Sequence, residues 1–240
     1  MKLRIDRLIK TYENKRILDD LTLALDDKQV LALIGASGSG KSTLLRMISG
    51  LEAFDSGQIV VNGHEVVESE DADYRKRIGF VFQDHNLFPH LSILENILLV
   101  LEKVHGRMRS EVLPEVEALL EQFGLSEHRH KKPHQISGGQ AQRASIVRAL
   151  AIKPDLILLD EPTSSLDPIL THEVLNAIKV LVEASIDFII VTHEIGFARE
   201  VADTIVFMDD GKIIEHGTPE ILETPQSPLL KAFLDKVLSF

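Results

Sequence analysis

The chain has 240 residues, 44% hydrophobic and 26% charged, which suits one large soluble α/β domain, or a core with a subdomain, that buries a sizeable apolar interior. Its formal net charge of −11 argues against a protein that wraps nucleic acid, because phosphate neutralisation needs a basic face. The lack of cysteine excludes a disulfide scaffold and thiolate chemistry, and no run of 18 apolar residues is present to span a bilayer.

Taken in chain order, Leu3 to Ile9 and Leu21 to Leu25 alternate or cluster like strands, and the charges within Met1 to Arg7 stand where a signal peptide needs an apolar core. Val30 to Ile34 is a short apolar run entering a glycine turn and reads as a buried strand. Ser42 to Ser49 reads as a helix ended by Gly50. Gln58 to Val61 and His64 to Val67 flank Asn62-Gly63, the dipeptide of a type I′ hairpin, and Ile78 to Phe82 is a further strand. From Asp84 to Ile152 the spacing turns helical: Leu91 to Val104, Ser110 to Phe123, and Gly138 to Ala151 with Ser137 as its cap. After Pro154 strands and helices alternate again, with strands at Leu156 to Leu159, Phe188 to Val191 and Thr204 to Met208. Asp209-Asp210-Gly211 turns into Lys212 to Glu215, and short helices near Pro219 to Leu222 and Pro228 to Leu238 follow. The pattern predicts a parallel-rich α/β core with an inserted helical subdomain.

Gly35-Ala36-Ser37-Gly38-Ser39-Gly40-Lys41-Ser42 fits the phosphate-loop pattern G-x-x-x-x-G-K-[ST], placed as required between an apolar strand and a helix. Glycines let backbone N–H groups wrap phosphate oxygens, and the helix start adds positive potential. Lys41 is expected to reach the β- and γ-phosphates, Ser42 to hold Mg²⁺ and Thr43 to bond the α-phosphate. Leu156 to Glu161 is an apolar strand that delivers two carboxylates where open α/β sheets bind ligands. Asp160 suits Mg²⁺, directly or through water, and Glu161 suits a base that orients and deprotonates the attacking water; alone, the pair would read as a helix cap. Gln83, at a strand end, suits Mg²⁺ or the attacking water equally with a plain polar terminus. His193 follows a strand and suits either a γ-phosphate contact or a structural role. Ser137-Gly138-Gly139-Gln140 opens a helix as a second phosphate site or as a simple cap with small residues for packing. Tyr12 suits stacking on a base or half-burial on a strand. His128-Arg129-His130 and His134 lack a partnering carboxylate pattern and read as a solvated loop rather than a metal site.

Together these residues resemble the nucleotide-binding subunit of an ABC transporter. Tyr12 matches the A-loop, Gly35 to Thr43 Walker A, Gln83 the Q-loop, Ile136 to Gln140 the signature motif, Leu156 to Glu161 Walker B, Ser164 to Asp167 the D-loop and His193 the H-switch, all in family order along essentially the whole chain. The set is similar, more closely, to the polar amino acid uptake subfamily, through Val81-Phe82-Gln83, Asn86 to His90, Asp210 to Glu215 and Lys231 to Leu234. Ile136 stands where a signature Leu is commoner, Ala141 where these importers usually carry Gln, and Glu68 to Tyr74 is unusually acidic.

The resemblance implies a P-loop NTPase (RecA-like) core with an N-terminal antiparallel β subdomain and an inserted α-helical subdomain, the core over 1–83 and 155–240 and the helical part over 84–154. It implies ATP and Mg²⁺ as ligands. Glu161, His193, Gln83 and Lys41 are then the catalytic set, and Ser42, Gln83 and Asp160 face the metal. ATP contacts come from Tyr12, Gly35, Ser37, Gly38, Ser39, Gly40, Lys41, Ser42, Thr43 and Asp167, and from Ser137, Gly138, Gly139 and Gln140 in a second subunit packed head to tail. The other implied partners are transmembrane permease subunits, touched by Gln83 and Asp84 to Leu101 through Phe88, Leu91 and Ile93 unless these three are core residues. Through the permease a periplasmic or surface substrate-binding protein is engaged, and the chain is expected on the cytoplasmic face of the plasma membrane. Alternatives within the resemblance are a subunit for a lipid or lipoprotein exporter, a soluble ABC-type ATPase acting on DNA or ribosomes, and a module that binds ATP without hydrolysis.

Overall fold

A computed structural model describes residues 1–67 and 71–238. The chain opens with an antiparallel hairpin of β1 (Leu3–Tyr12) and β2 (Lys15–Leu25), turned by Glu13 and Asn14 at φ 46° and 68°. Both strands run further than the sequence predicts. The turn is left-handed without the Asn-Gly signal, and register shifts along β1 break the alternation that marks a strand. Next come β3 (Val30–Gly35), α1 (Lys41–Ile48), β4 (Ser56–Val61) and β5 (His64–Glu65). Asn62 and Gly63 join the last two with φ 50° and 81°, both positive as a type I′ turn requires.

A short helix that the sequence reading missed, α2 (Ala72–Lys76), follows; one turn is too brief for a helical period to register. Asp71 caps it by accepting from the Tyr74 N–H at 2.9 Å, and the buried Tyr74 donates its hydroxyl to the Ile48 carbonyl at 2.6 Å. Of the acidic stretch Glu68 to Tyr74, Glu68 to Glu70 lie outside the described residues, while Asp73 pairs with Lys76. The rest of the chain is β6 (Ile78–Val81), α3 (Ile93–Lys103), α4 (Arg109–Gln122), α5 (Gly138–Ala151), β7 (Leu156–Asp160), α6 (Pro168–Glu183), β8 (Phe188–Val191), α7 (Ile195–Val201), β9 (Thr204–Asp209), β10 (Lys212–Gly217), a 3₁₀ turn at Pro219–Leu222, and α8 (Pro228–Leu238).

Among the described residues the strands form one antiparallel sheet, β2-β1-β4-β5, and one sheet in the order β10-β9-β3-β8-β7-β6, parallel but for its edge strand β10. Period-two geometry divides each apolar run of the parallel sheet between two cores. Val30, Ala32, Ile34, Ile157, Leu159, Phe188, Ile190, Ile205 and Phe207 face the helices α3 to α8. Leu31, Leu33, Leu156, Leu158, Ile189, Val191, Val206 and Met208 face α1 and the antiparallel sheet. Burial on both faces is why these strands read as continuous apolar runs rather than alternating ones. α5 packs against β6, α3, α4 and α6 and so joins the helical layer to the sheet. Gly79 on β6 makes that approach possible: a Cβ there would lie 2.9 Å from the Ala149 carbonyl of α5.

Candidate functional site

The sheet order sets β3, β8 and β7 side by side and parallel, so the segments leaving their C-terminal ends converge. The loop after β3 is fixed by glycine. Gly35 sits at φ 145°, where a Cβ would fall 2.1 Å from the Met208 carbonyl, and Gly40, which starts α1 at φ 98°, faces Ile17 and Leu18 too closely for any side chain. Ser37 and Gly38 stand exposed at the crest of the loop.

Lys41 turns back under that crest. Its ammonium donates to the carbonyls of Gly35 and Ala36 at 2.9 and 2.8 Å and to the Ser39 hydroxyl at 3.3 Å. The side chain is buried, which pushes its pKa down, and the carboxylates of Glu161 and Asp160 oppose that shift. Ser42 donates its hydroxyl to Asp160 Oδ1 at 2.7 Å, joining the end of the loop to the end of β7. Hydroxyl and carboxylate form an oxygen-only donor set of the kind a hard divalent cation takes. Burial raises the Asp160 pKa, against the Ser42 hydrogen bond, which lowers it.

Glu161 is held at φ 45°, a left-handed conformation uncommon for a glutamate. Its N–H donates to the Val191 carbonyl of β8 at 3.0 Å, and its own carbonyl accepts from the N–H and hydroxyl of Ser164 at 3.2 and 3.1 Å. This geometry aims the carboxylate at His193, whose Nε2 lies 3.2 Å from Oε1. The hydrogen bond from His193 lowers the Glu161 pKa and keeps the group ionised. Val81 pairs with Leu159, so two residues further on Gln83 comes level with Glu161; its side chain is exposed.

The helix start at α5 forms a separate cluster. Ser137 Oγ accepts from the Gln140 N–H at 3.2 Å and Gln140 Oε1 accepts from the Ser137 N–H at 3.0 Å, a reciprocal capping box. That accounts for two of the helix's leading N–H groups and leaves those of Gly138 and Gly139, with the Ser137 hydroxyl proton, as donors. The glycines also have a packing reason: Cβ atoms at 138 and 139 would come within 3.0 and 3.2 Å of Leu166 and Leu170. Asp167 caps α6, its Oδ1 accepting from the N–H groups of Ile169 and Leu170 at 2.9 and 3.0 Å. Tyr12 ends β1 with its ring 44% exposed and the Lys10 ammonium 4.9 Å from its centroid. Thr43 is half-buried in the first turn of α1.

Several placements differ from expectation. Ile93 is fully buried in the helical core, so it cannot meet a partner; Leu91 is half-buried and Phe88 is exposed. An apolar residue at a helix start has the same sequence signature whether it turns inward or outward. Ala141 is buried, so the departure there alters packing rather than the helix surface. His130 and His134 are exposed as a solvated loop should be, but His128 is half-buried and contacts Gln140. The sequence reading also missed a clamp. The fully buried Gln142 bonds His85 Nδ1 and the Phe82 carbonyl, while Arg148 donates to the carbonyls of Asn86 and His85 at 2.7 and 3.1 Å. These bonds hold the segment after Gln83, in which His85 and Asn86 both have positive φ, against α5. A polar Gln on the inner face of an otherwise Ala- and Val-lined helix was the available signal.

The family model described as ABC transporter matches residues 18–164. The chain is 42% identical to the arginine transport ATP-binding protein ArtM of Bacillus subtilis over 98% of this chain and 100% of that protein. It is 44% identical to the glutamine transport ATP-binding protein GlnQ of Escherichia coli K12 over 95% and 96%, and 43% identical to the glutamate/aspartate import ATP-binding protein GltL of the same organism over the same shares. Among solved structures it resembles a dimeric ATP-binding cassette in a post-hydrolysis state with ADP and Pi, at TM-score 0.79 and 32% identity, covering 90% of this chain and 98% of that one. An ATP-binding subunit of an ABC transporter matches at TM-score 0.81 and 27% identity over 100% and 98%.

The buried carboxylate gives a signed expectation. The fold raises the Asp160 pKa above its unfolded value, so it holds the proton more tightly than the unfolded chain does, and ionising the group at neutral pH costs stability. Asp160→Asn keeps an acceptor for Ser42 without the charge. It is expected to stabilise the ligand-free chain by about 1 kcal/mol, or ~3 °C in Tm, in thermal unfolding followed by circular dichroism; an unchanged or lower Tm contradicts the assignment.

Proposed function

The chain belongs to the ABC transporter family of ATP-binding proteins, and on that premise we propose that it is the ATP-hydrolysing subunit of an importer of polar amino acids. The observation that carries the substrate class is the near full-length match to subunits named for arginine, glutamine and glutamate/aspartate transport. No helix among the described residues is long and apolar enough to cross a membrane. As a subunit of such an importer the chain sits peripherally on the cytoplasmic face, beneath permease subunits that a substrate-binding protein supplies; its likeness to transport ATP-binding proteins supports this.

The site geometry supports ATP hydrolysis. N–H groups of Gly35 to Thr43 cradle the triphosphate, and Lys41 turns its donors from the loop carbonyls to the β- and γ-phosphates. The oxygens of Ser42 and Asp160, with Gln83 alongside, would hold Mg²⁺, which would supply charge neutralisation to the phosphates when bound. Glu161, ionised and aimed by its backbone, orients the attacking water and takes its proton as the oxygen adds to the γ-phosphorus and the bond to the β-phosphate breaks. His193 holds Glu161 from one side, and on this reading it also hydrogen-bonds the γ-phosphate. The exposed ring of Tyr12 stacks on the base.

The donors of Ser137, Gly138 and Gly139 make no hydrogen bond to Gly35 to Thr43 among the described residues; they complete the site of a second copy, packed head to tail. Resemblance to a dimeric cassette supports this arrangement. Asp167 joins the same interface through the Ser164 to Asp167 loop. Exposed Phe88, on the segment clamped to α5, is the contact offered to the permease.

Glu161→Gln is expected to slow phosphate release about 10²–10⁴-fold while ATP affinity is kept, measured by single-turnover kinetics and nucleotide titration; undiminished turnover refutes the role of Glu161. Ser137→Arg is expected to leave ATP binding by the monomer intact and to abolish ATP-driven dimerisation in sedimentation velocity; normal dimerisation refutes the head-to-tail site. Reconstituted in proteoliposomes with its permease and binding protein, the subunit is expected to drive ATP-dependent uptake of labelled arginine, glutamine or glutamate. ATP turnover without uptake of any of the three contradicts the substrate class.

A further inference from the structure

We infer that His128 is a positioning residue for the second phosphate site, acting through Gln140; this rests on the head-to-tail reading. His128 lies in a 3₁₀ turn, Ser126–His128, separated from the helix start by nine residues that include a second 3₁₀ turn at Pro133–Gln135, so nothing in helical spacing joins it to Gln140. In the fold its Nε2 lies 3.0 Å from Gln140 Nε2.

Hydrogen-bond bookkeeping fixes the orientation of both groups. The Ser137 N–H is a donor and lies 3.0 Å from Gln140 Oε1, so the amide oxygen must face Ser137 and the amide NH₂ must face His128. An NH₂ group only donates, so His128 Nε2 must be the bare, accepting nitrogen, and the ring proton is on Nδ1. Nδ1 is buried and has no hydrogen-bond partner among the described residues. The ring therefore leaves one nitrogen unpaired in the interior and keeps the other on Gln140, which makes that bond the polar contact that sets its orientation.

The chain of consequence runs from one amide to the next. His128 holds the Gln140 amide, Gln140 Oε1 occupies the Ser137 N–H, and Ser137 Oγ occupies the Gln140 N–H. With those two N–H groups closed off, the Ser137 hydroxyl proton and the N–H groups of Gly138 and Gly139 are left in a fixed array. Without the His128 contact the Gln140 side chain is free to swing, the capping box loosens, and the array that would meet the partner's phosphate loses its preorganisation. Hydrogen-bond loss of this kind is worth about a 5- to 10-fold change in an equilibrium.

The test uses the full chain carrying Glu161→Gln, which is expected to bind ATP with little turnover, and reads the ATP-driven monomer–dimer equilibrium by analytical ultracentrifugation. His128→Ala is expected to weaken dimerisation about 5- to 10-fold with the ATP affinity of the monomer unchanged. His128→Gln, whose amide oxygen can accept from Gln140, is expected to restore dimerisation to within about twofold of the parent. Parent-like dimerisation by His128→Ala, or a His128→Gln variant as weak as the alanine, overturns the inference alone. A parent that fails to dimerise with ATP overturns the head-to-tail reading and this inference with it. The tautomer is measured independently of dimerisation: long-range ¹H–¹⁵N spectra of the full chain are expected to place the His128 proton on Nδ1, and a proton on Nε2 overturns the inference whatever the dimer does.

Discussion

The molecule is built around a positive charge held almost out of water. The Lys41 side chain is 3% exposed, and the groups facing its ammonium are two loop carbonyls and a serine hydroxyl, with the carboxylates of Glu161 and Asp160 acting at longer range. Burial alone would favour losing that proton, so the charge requires the loop to stay curled around it and β7 to end where it does. Both requirements reach into the core. The curl needs Gly35 within van der Waals contact of β9 and Gly40 against β2, and the position of β7 needs the apolar sorting that buries each parallel strand on two faces. The site is thus an edge condition of the sheet.

The second organising element is α5, which carries distinct polar devices along its length. Its first turn presents the capping box of Ser137 and Gln140, its middle holds the Gln83 segment through Gln142, and its last turn does the same through Arg148. Arg143 adds an ion pair to Glu173 of α6 at 2.5 Å. Gln142 is fully buried, and breaking its bonds would strand a polar group in the interior, which costs more than a surface hydrogen bond gains; Arg148 is half-buried. Because the partners, the His85 ring and the carbonyls of Phe82, His85 and Asn86, all lie in one short segment, that segment is tied to the helix at two points. On the proposed reading that ties the surface meeting a second subunit's phosphates to the surface meeting the permease.

How much of this was legible in the sequence follows from the range of the interactions. Gly35 to Ser42 could be read because its chemistry is local: each glycine answers a backbone demand within a few residues, and the flanking strand and helix are visible in the apolar pattern. Asp160 and Glu161 could be read because a strand end has a known direction in a parallel sheet. The strand ends of β1 and β2 were not, since Glu13-Asn14 makes a left-handed turn that no propensity announces. Ile93 was left open between a partner contact and the core because hydrophobicity carries no azimuth at the start of a helix, and only the packed fold places it inside. Gln142 with His85, Arg148 with Asn86, and His128 with Gln140 span from 12 to 62 positions, and their pairing exists only once the helices have packed.

Burial, strain and unused donors divide unequally between the halves of the site, and the division bears on why one chain would be insufficient. The phosphate-loop half carries the unfavourable terms: a buried ammonium, a carboxylate whose burial favours its neutral form, and a glutamate in the left-handed region that costs on the order of 1–3 kcal/mol. Polyanion and cation together would relieve the first two, since phosphate oxygens replace the carbonyls at Lys41 and a metal compensates Asp160. At the α5 half the unfavourable part is the His128 Nδ1, which has no hydrogen-bond partner among the described residues; the capping box is closed and its glycines pack on Leu166 and Leu170. Its remaining donors gain only from an anion brought to them. A destabilised receptor for the nucleotide and a relaxed array are complementary, and on the proposed reading two copies in opposite orientation would satisfy both at once where a single copy would satisfy only the first.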